Sequence, residues 1–401
     1  MRRYRTIVRF RLLHLSLALV LVISEARAIN KDTGDLLQES KEEGRLPSLI
    51  SHVPEVAARL KGLEIKLRGT LPDNSSLLER KDQVAQLGKS LWLEARATIQ
   101  TQGFLDDRPL YWQRLLVTRY LRSQSRRLGL NGSDVEVLLQ LFEKYSRGQA
   151  DVVWGDGEAH RVLITGFDPF FLDRAIGQSN PSGLIALALD GTRIETQGEL
   201  IEINAVVFPV RYQDFDAGVV EAFLEPFFSS DELNLFVSIS MGRDDFDLER
   251  FPGRRRSSSA PGNLGEHTGG SSESPLPPLL NGKPLEGAEF LEFSLPVAAM
   301  RSVSGDFKVH DNREVTTLER GAFVAESLAD LQDQTAVLGS GGGYLSNEIS
   351  YRSLRLAQHL GISLPIGHVH VPRIQGHDSV LLAKILEQTK AMLVQGALAR
   401  E

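Results

Sequence analysis

The chain has 401 residues, of which 42% are hydrophobic and 24% are charged, and its formal net charge is −7. Apolar residues are abundant enough to form a core, which excludes a chain that is disordered throughout. There is no cysteine, so disulfides, thiolate catalysis and cysteine metal ligands are excluded. The acidic balance argues against nucleic acid and anionic membrane surfaces as partners.

Residues 1–28 have the three-part pattern of a secretory signal peptide. Five arginines within residues 2–11 precede an apolar run from Leu12 to Ile23, and Ala26-Arg27-Ala28 supplies small residues for cleavage. The run is too short to span a bilayer comfortably. We predict cleavage near Ala28 and a secreted or periplasmic protein without stable membrane insertion. Loss of six arginines and one glutamate would change the net charge from −7 to −12.

Residues 29–152 are predicted to be all-helical. Apolar residues recur at three- and four-residue spacings in Val53–Leu67, Ser76–Ile99, Pro109–Leu128 and Ser133–Tyr145. Asn74 and Ser133 are candidate helix N-caps. The region could cover an active site, mediate assembly into a homo-oligomer or stabilise the C-terminal part of the chain. In the first case, deletion of residues 29–150 should change substrate access more than folding.

Residues 153–401 are predicted to form an α/β domain with a largely parallel sheet flanked by helices. Short apolar runs typical of buried strands are Arg161–Thr165, Ile201–Val210, Leu233–Ser240, Ala336–Gly339 and Gly367–Val371. Helical patterns lie at Pro181–Asp190, Asp214–Phe227, Tyr344–His359 and Ser379–Leu398. Residues 253–278, rich in Ser, Gly, Pro and Arg, are predicted to be a long flexible loop.

Polar and glycine-rich segments follow the predicted strands, where α/β sheets place their active sites. Ser346 follows a glycine run and opens a predicted helix, so backbone N–H groups and the helix dipole would face a reacting carbonyl. His370 ends the next predicted strand and could accept the hydroxyl proton. Glu249 could then fix the histidine tautomer, as in other sets of nucleophile, base and acid.

The order and spacing of these segments resemble the motifs of the pyroglutamyl-peptidase I family, over about Arg161 to Leu398. The family carries T-G-F-E/D-P-F and N-P, then G-R and E-R, then A-G-x-Y-L-C-N and G-F-I-H-V-P. The matching segments are Thr165-Gly-Phe-Asp-Pro-Phe170, Asn180-Pro181, Gly242-Arg243, Glu249-Arg250, Gly342-Gly-Tyr-Leu-Ser346-Asn347 and Gly367-His-Val-His370-Val-Pro372. Asn263 falls at the family's P-D-N asparagine. The resemblance implies a pyroglutamyl-peptidase-like fold and removal of N-terminal pyroglutamate from peptides.

The resemblance also implies roles for individual residues. Ser346 takes the position of the nucleophilic cysteine, His370 that of the general base and Glu249 that of the acid. The candidate substrate-binding residues are Phe167, Phe170, Asn180 and Asn347, of which the phenylalanines would contribute to the lactam pocket. An uncharged lactam suits an aromatic, hydrogen-bonding pocket. The expected partner is a peptide with N-terminal pyroglutamate, and no cofactor or metal is expected.

Three positions depart from the family pattern. A serine needs its base to remove the proton during attack, whereas a cysteine is partly thiolate near neutrality. The arginine that the family uses near the oxyanion falls at Ser259, and residues 254–256, all arginine, could replace it from the loop. The family's F-G-G is Phe170-Phe171-Leu172 here, which alters the pocket lip. These departures leave open an inactive homologue that binds pyroglutamyl or other N-blocked peptides.

A zinc-dependent hydrolase is a third possibility. His368 and His370 lie two residues apart on a predicted strand and would face the same side, and His377 follows. A His-x-His pair with a third histidine can bind zinc. No carboxylate motif accompanies these histidines, so metal analysis of the purified protein would decide the question.

Overall fold

A computed structural model describes residues 37–230 and 232–399 of the chain. The predicted signal peptide lies outside the described residues, so its cleavage and the export that it implies stay predictions. Within those two ranges, no helix combines the length and the hydropathy needed to cross a bilayer.

From residue 37 onward, six α-helices precede the first strand. They are α1 (Leu46–His52), α2 (Pro54–Ala57), α3 (Leu63–Thr70), α4 (Leu77–Gln102), α5 (Arg108–Ser123) and α6 (Gly132–Ser146). The predicted N-caps Asn74 and Ser133 are wrong by two residues. Ser76 caps α4 in a capping box with Glu79, and Asn131 caps α6 with Asp134. In each box, the carboxylate three residues after the cap accepts a hydrogen bond from the backbone N–H of the cap residue.

Two predicted continuous helices are interrupted. Val53–Leu67 is split into α2, a 3₁₀ turn at Ala58–Leu60 and α3, because Gly62 adopts a left-handed φ of 81°. Gly218, with φ 80°, likewise divides Asp214–Phe227. The apolar periodicity continues across both breaks, which explains the prediction, but a left-handed residue cannot continue an α-helix.

The main sheet has seven strands in the order β2-β3-β1-β4-β12-β5-β8. They are β1 (His160–Phe167), β2 (Thr192–Thr196), β3 (Glu199–Phe208), β4 (Leu235–Met241), β5 (Phe246–Glu249), β8 (Val309–Asn312) and β12 (Ile366–Val371). The four central strands, β3, β1, β4 and β12, are parallel. Toward the two edges of the sheet, β2 runs antiparallel to β3, and β5 runs antiparallel to β12 but parallel to β8. The predicted α/β fold with a largely parallel sheet and a preceding helical region is confirmed.

The remaining elements surround this sheet. The helices are α7 (Pro181–Leu189), α8 (Tyr212–Asp216), α9 (Val219–Phe228), α10 (Val297–Arg301), α11 (Leu345–Leu360) and α12 (Ser379–Leu398). Two small sheets contain β6 (Leu279–Leu280) with β7 (Lys283–Pro284), and β9 (Glu314–Thr317) with β10 (Gly321–Val324) and β11 (Ala336–Leu338). Helix α7 packs on β1 and α12, whereas α11 packs on β12 and α9.

One apolar core joins the helical region to the sheet. It contains Leu91 of α4 and Phe142 of α6 together with Ile164 of β1 and Phe208 of β3. Helix α4 also packs directly on α7. The helical region therefore buries its apolar faces against the α/β domain and not only within itself.

A buried ion cluster reinforces the same contact. Asp168, at the end of β1 and 2% exposed, lies 2.7 Å from a guanidinium nitrogen of Arg114 and 2.7 Å from one of Arg147. Burial alone raises the pKa of Asp168, but the two guanidinium groups outweigh it, so the pKa lies below its usual value. Glu143 of α6 pairs with both arginines and extends the cluster to Arg211.

A second buried carboxylate, Asp107, also crosses between the two regions. Its Oδ2 accepts a hydrogen bond from the backbone N–H of Asn180 at 3.0 Å, and its Oδ1 contacts the hydroxyl of Ser179. Burial raises the pKa of Asp107 from 3.8 to about 7, and the neighbouring Asp106 adds to this shift.

We expect Asp107 to make the free energy of unfolding fall as the pH rises from about 4 to about 7, because the folded state holds the proton more tightly there. Asp107→Asn is isosteric and can keep both contacts without a charge. It should flatten this part of the curve and raise stability near pH 8 by up to about 4 kcal/mol. Urea unfolding of both proteins across this pH range measures the difference, and an asparagine variant less stable near pH 8 would refute it.

Candidate active site

His370 and Glu249 meet at one edge of the central strands. His370 is the last but one residue of β12, and Glu249 ends the neighbouring antiparallel strand β5. Glu249 Oε1 lies 2.6 Å from His370 Nδ1. Glu249 is 1% exposed, and this burial raises its pKa, although the hydrogen bond from His370 opposes the shift. The pair holds the Nδ1 proton toward the carboxylate and directs Nε2 away from it.

The backbone beside His370 requires a glycine. A Cβ at Gly242, just beyond the end of β4, would lie 2.4 Å from the Cβ and 2.8 Å from the Cγ of His370. The amide of Gly242 also donates to the carbonyl of Val371 at 2.8 Å. The close approach of the two chains therefore fixes where the imidazole stands.

Ser346 stands at the second residue of α11. The chain leaves β11, turns through residues 339–343, where Gly342 has φ 89°, and enters the helix at Leu345. The backbone N–H groups of the first helical turn lack intrahelical acceptors and carry the positive end of the helix dipole. Ser346 is half-buried, and its hydroxyl donates to the carbonyl of Gly341 at 3.2 Å.

No hydrogen bond joins Ser346 to His370 within the part of the chain that the structure describes. Asn312, the last residue of β8, connects the surroundings of the two residues. Its Nδ2 donates to Glu249 Oε2 at 2.7 Å and to the carbonyl of Ser340 at 3.0 Å. Sequence reasoning missed Asn312, because β8 has only four residues and no apolar run that marks it as a strand.

The two candidate pocket phenylalanines differ in position. Phe167 is 4% exposed and stacks on Phe215 in the core, with ring centroids 6.3 Å apart. Phe170 is half-buried, 4.6 Å from the ring of Phe171 and 6.4 Å from that of Tyr344. Tyr344 lies between the nucleophile turn (residues 339–343) and α11, so Phe170 lies close to that turn. The contacts of Phe167 favour a role in the core instead.

Phe171 adopts an unusual backbone conformation at the predicted lip. Its φ of 59° lies in the left-handed region, which costs an aromatic residue on the order of 1–3 kcal/mol. The family pattern has a glycine at this position, and glycine adopts such a φ without strain. The ring of Phe171 stacks on Tyr344 at 6.5 Å between centroids, so a third aromatic side chain joins the lip.

Asn180 and Asn347 use their side chains within the protein. Asn180 caps α7 through the N–H of Ser182 and donates to the carbonyl of Asp168 at 2.9 Å. The side chain of Asn347 accepts from the N–H of Gly253 at 2.9 Å and donates to its carbonyl at 2.7 Å. These contacts favour structural roles for both residues, and their assignment to substrate binding stays a prediction.

Residues 253–278 contain no helix or strand, but side chains fasten them to the site. Arg256 forms a buried two-bond ion pair with Glu348 of α11, at 2.5 and 2.8 Å. Asn263 donates to the carbonyl of Pro169 at 2.9 Å. Arg254 and Arg255 both pair with Glu289. All three arginines that could have replaced the family arginine therefore have carboxylate partners.

The histidines of the zinc hypothesis do not form a common ligand set. His368 is fully buried, with Nδ1 2.8 Å from the hydroxyl of Ser238 and Nε2 2.8 Å from that of Ser240. His377 Nδ1 lies 4.0 Å from Asp106 Oδ1. Among residues 37–230 and 232–399, no group of three or more potential ligand residues is arranged to hold a metal ion.

Comparisons with known proteins give matches along most of the chain. The family model of the PA0049 N-terminal domain matches residues 25–143, and that of the PA0049 C-terminal domain matches residues 161–286 and 307–375. The uncharacterized protein PA0049 of Pseudomonas aeruginosa is 28% identical in an alignment 380 positions long, and the match covers 72% of this chain and 69% of the relative. The chain is thus similar to both domains of PA0049.

Among solved structures, the chain is similar to pyrrolidone carboxyl peptidase of the hyperthermophile Pyrococcus furiosus. One mutant of that enzyme is 20% identical, with a TM-score of 0.40, and the match covers 59% of this chain and 97% of the other. Another structure of that enzyme, from a set that includes its cysteine-free mutant, gives 19% identity with the same TM-score and the same coverage.

Proposed function

We propose that the chain is an exported hydrolase that removes N-terminal pyroglutamate from peptides with a Ser346–His370–Glu249 triad. The observation that carries the proposal is the 2.6 Å contact between His370 Nδ1 and buried Glu249, whose other oxygen Asn312 links to the turn that leads into Ser346. The ordered motifs that resemble pyroglutamyl peptidases support the same three roles.

The proposed reaction is acyl transfer through the serine. The Ser346 hydroxyl turns from Gly341 to His370 and gives its proton to Nε2. Its oxygen attacks the carbonyl carbon of the peptide bond that follows the pyroglutamyl ring. Backbone N–H groups at the start of α11 stabilise the oxyanion. His370 then returns the proton to the departing amine, and water, activated by the same imidazole, hydrolyses the acyl-enzyme to free pyroglutamate.

Aromatic side chains favour an uncharged, flat acyl group. Phe170, Phe171 and Tyr344 form a group of half-buried rings beside the nucleophile turn, and their ring centroids lie 4.6–6.5 Å apart. Such a lining suits a neutral lactam and disfavours the charged α-amino group of an ordinary N-terminal residue, which would lose its hydration without a partner.

A matched pair of substrates tests this choice. We expect a fluorogenic pyroglutamyl amide to be cleaved at least about a hundredfold faster, in kcat/KM, than the corresponding prolyl amide. The two differ mainly in the lactam carbonyl and the charge of the ring nitrogen. Equal rates for both, or faster cleavage of the prolyl amide, would contradict a lactam-specific site.

The inactive binding homologue remains the second candidate function. Serine at the nucleophile position and the pairing of Arg254, Arg255 and Arg256 with carboxylates favour it. Isothermal titration with a pyroglutamyl peptide, followed by mass spectrometry of the recovered peptide, separates the two candidates. Binding with the peptide left intact would support the binding role, and release of pyroglutamate would support the hydrolase.

A further inference from the structure

Asn312 occupies a position between the acid of the proposed triad and the turn that carries its nucleophile. We propose that Asn312 is a positioning residue, which keeps Glu249 ionised toward His370 and anchors the nucleophile turn to that pair. The inference rests on the proposed function, because it assigns Asn312 to the same reaction. No motif of the sequence marks this residue.

The amide of Asn312 satisfies three groups at once. One hydrogen of Nδ2 serves Glu249 Oε2 at 2.7 Å, and the other serves the carbonyl of Ser340 at 3.0 Å. Its Oδ1 accepts from the backbone N–H of Glu314 at 3.2 Å, which fixes the orientation of the amide. Since Glu249 Oε1 is occupied by His370, each oxygen of the buried carboxylate has one donor.

The second contact places Asn312 on the path to Ser346. Ser340 exchanges hydrogen bonds with Phe251, since its N–H donates to the Phe251 carbonyl at 2.9 Å and its hydroxyl accepts from the Phe251 N–H at 2.8 Å. The next carbonyl, that of Gly341, accepts from Ser346. Hydrogen bonds and one short stretch of backbone, from Ser340 to Gly341, therefore lead from His370 through Asn312 to Ser346.

The charge of the site makes a neutral donor necessary at this position. Glu249 faces His370 of β12 and Asp247 of its own strand, and Arg243, beyond β4, pairs with Asp247. A hydrogen bond to the charged form of a carboxylate lowers its pKa, whereas a second carboxylate at hydrogen-bond distance forces the two to share a proton. An aspartate at 312 would thus weaken the negative charge opposite His370.

The reactivity of a thiol at position 346 reports this effect without any peptide substrate. In a Ser346→Cys variant, His370 should lower the pH midpoint of alkylation by iodoacetamide, and His370→Ala should abolish that lowering. Adding Asn312→Asp should move the midpoint upward by at least about one unit. If the aspartate variant does not fold, Asn312→Ala should shift the midpoint in the same direction.

Two comparisons separate positioning from general damage. In a Glu249→Gln background, Asn312→Asp should add no further shift, because both substitutions act through the same carboxylate. Asn204→Asp is the matched control and should leave the midpoint unchanged. Asn204 lies on β3, and its buried side-chain amide donates to the carbonyl of Val153. If the midpoint depends on His370 but is unchanged in the Asn312 variants, the inference about Asn312 is overturned and the triad is not. A thiol that is independent of His370 would overturn the triad and the inference together.

Discussion

A chain that begins at residue 153 is expected to be insoluble or to lack a cooperative unfolding transition. Its Asp168, at the end of β1, would lose both of its guanidinium partners, Arg114 and Arg147, and loss of such a partner costs about 3–5 kcal/mol where the remaining charge stays buried. The apolar faces of α7 and β3 that the helical region now covers would also be exposed. The expected loss is a large part of the roughly 5–15 kcal/mol by which a typical folded domain is stable.

Solubility, near-ultraviolet circular dichroism and urea unfolding of the truncated chain measure this outcome. Co-expression of residues 37–152 as a separate fragment should restore a folded complex, because the missing arginines and apolar faces return with it. A soluble truncated domain with a cooperative transition would contradict a structural role. It would favour the other possibility, that the helical region covers the site and controls substrate access.

Much of the α/β domain can be predicted from the sequence, because its central strands are continuous apolar runs separated by helices. The site follows in part from the same reasoning, since residues at the ends of neighbouring strands must lie at one edge. That rule holds for parallel strands such as β4 and β12. Because β5 runs antiparallel to β12, the contact of Glu249 with His370 was indicated by the family motifs and not by the rule. It could not show the present contact of the Ser346 hydroxyl with Gly341, which depends on a single side-chain torsion.

Other parts of the site have no local signal in the sequence. Asn312 and Asp107 reach the active-site segments through contacts 28 to 73 residues apart in the chain. Hydrophobic periodicity records which face of an element is buried, but it does not record which polar group lies opposite. The short strand β8 and the loop before α5 therefore looked like ordinary connections.

At Phe171 the sequence predicted a departure from the family pattern but not the conformation that results. The aromatic residue at a family glycine position predicted an altered lip. The structure adds that the backbone there has a φ of 59° and that the ring packs on Phe170 and Tyr344. These ring contacts offset part of the strain, which explains how a bulky residue can occupy a conformation that favours glycine.

Removal of the Ser346 hydroxyl should have the largest effect on catalysis. Without it no acyl-enzyme can form, so Ser346→Ala should lower kcat by at least about a thousandfold. Ser350→Ala is the matched control, because Ser350 lies one turn further along α11 and its buried hydroxyl has no hydrogen-bond partner among the described residues. It should keep the activity, since its hydroxyl makes no hydrogen bond to His370 or to residues 339–343.

The measurement that tests the triad most directly is the initial rate of hydrolysis of a fluorogenic pyroglutamyl amide by the chain from residue 29. The wild type, Ser346→Ala, Ser346→Cys and Ser350→Ala would be compared at equal concentration. We predict hydrolysis by the wild type and the Ser350 variant, and none above background by Ser346→Ala. Undiminished hydrolysis by Ser346→Ala would contradict the proposed nucleophile, and a silent wild type beside an active Ser346→Cys variant would contradict hydrolysis as the natural function.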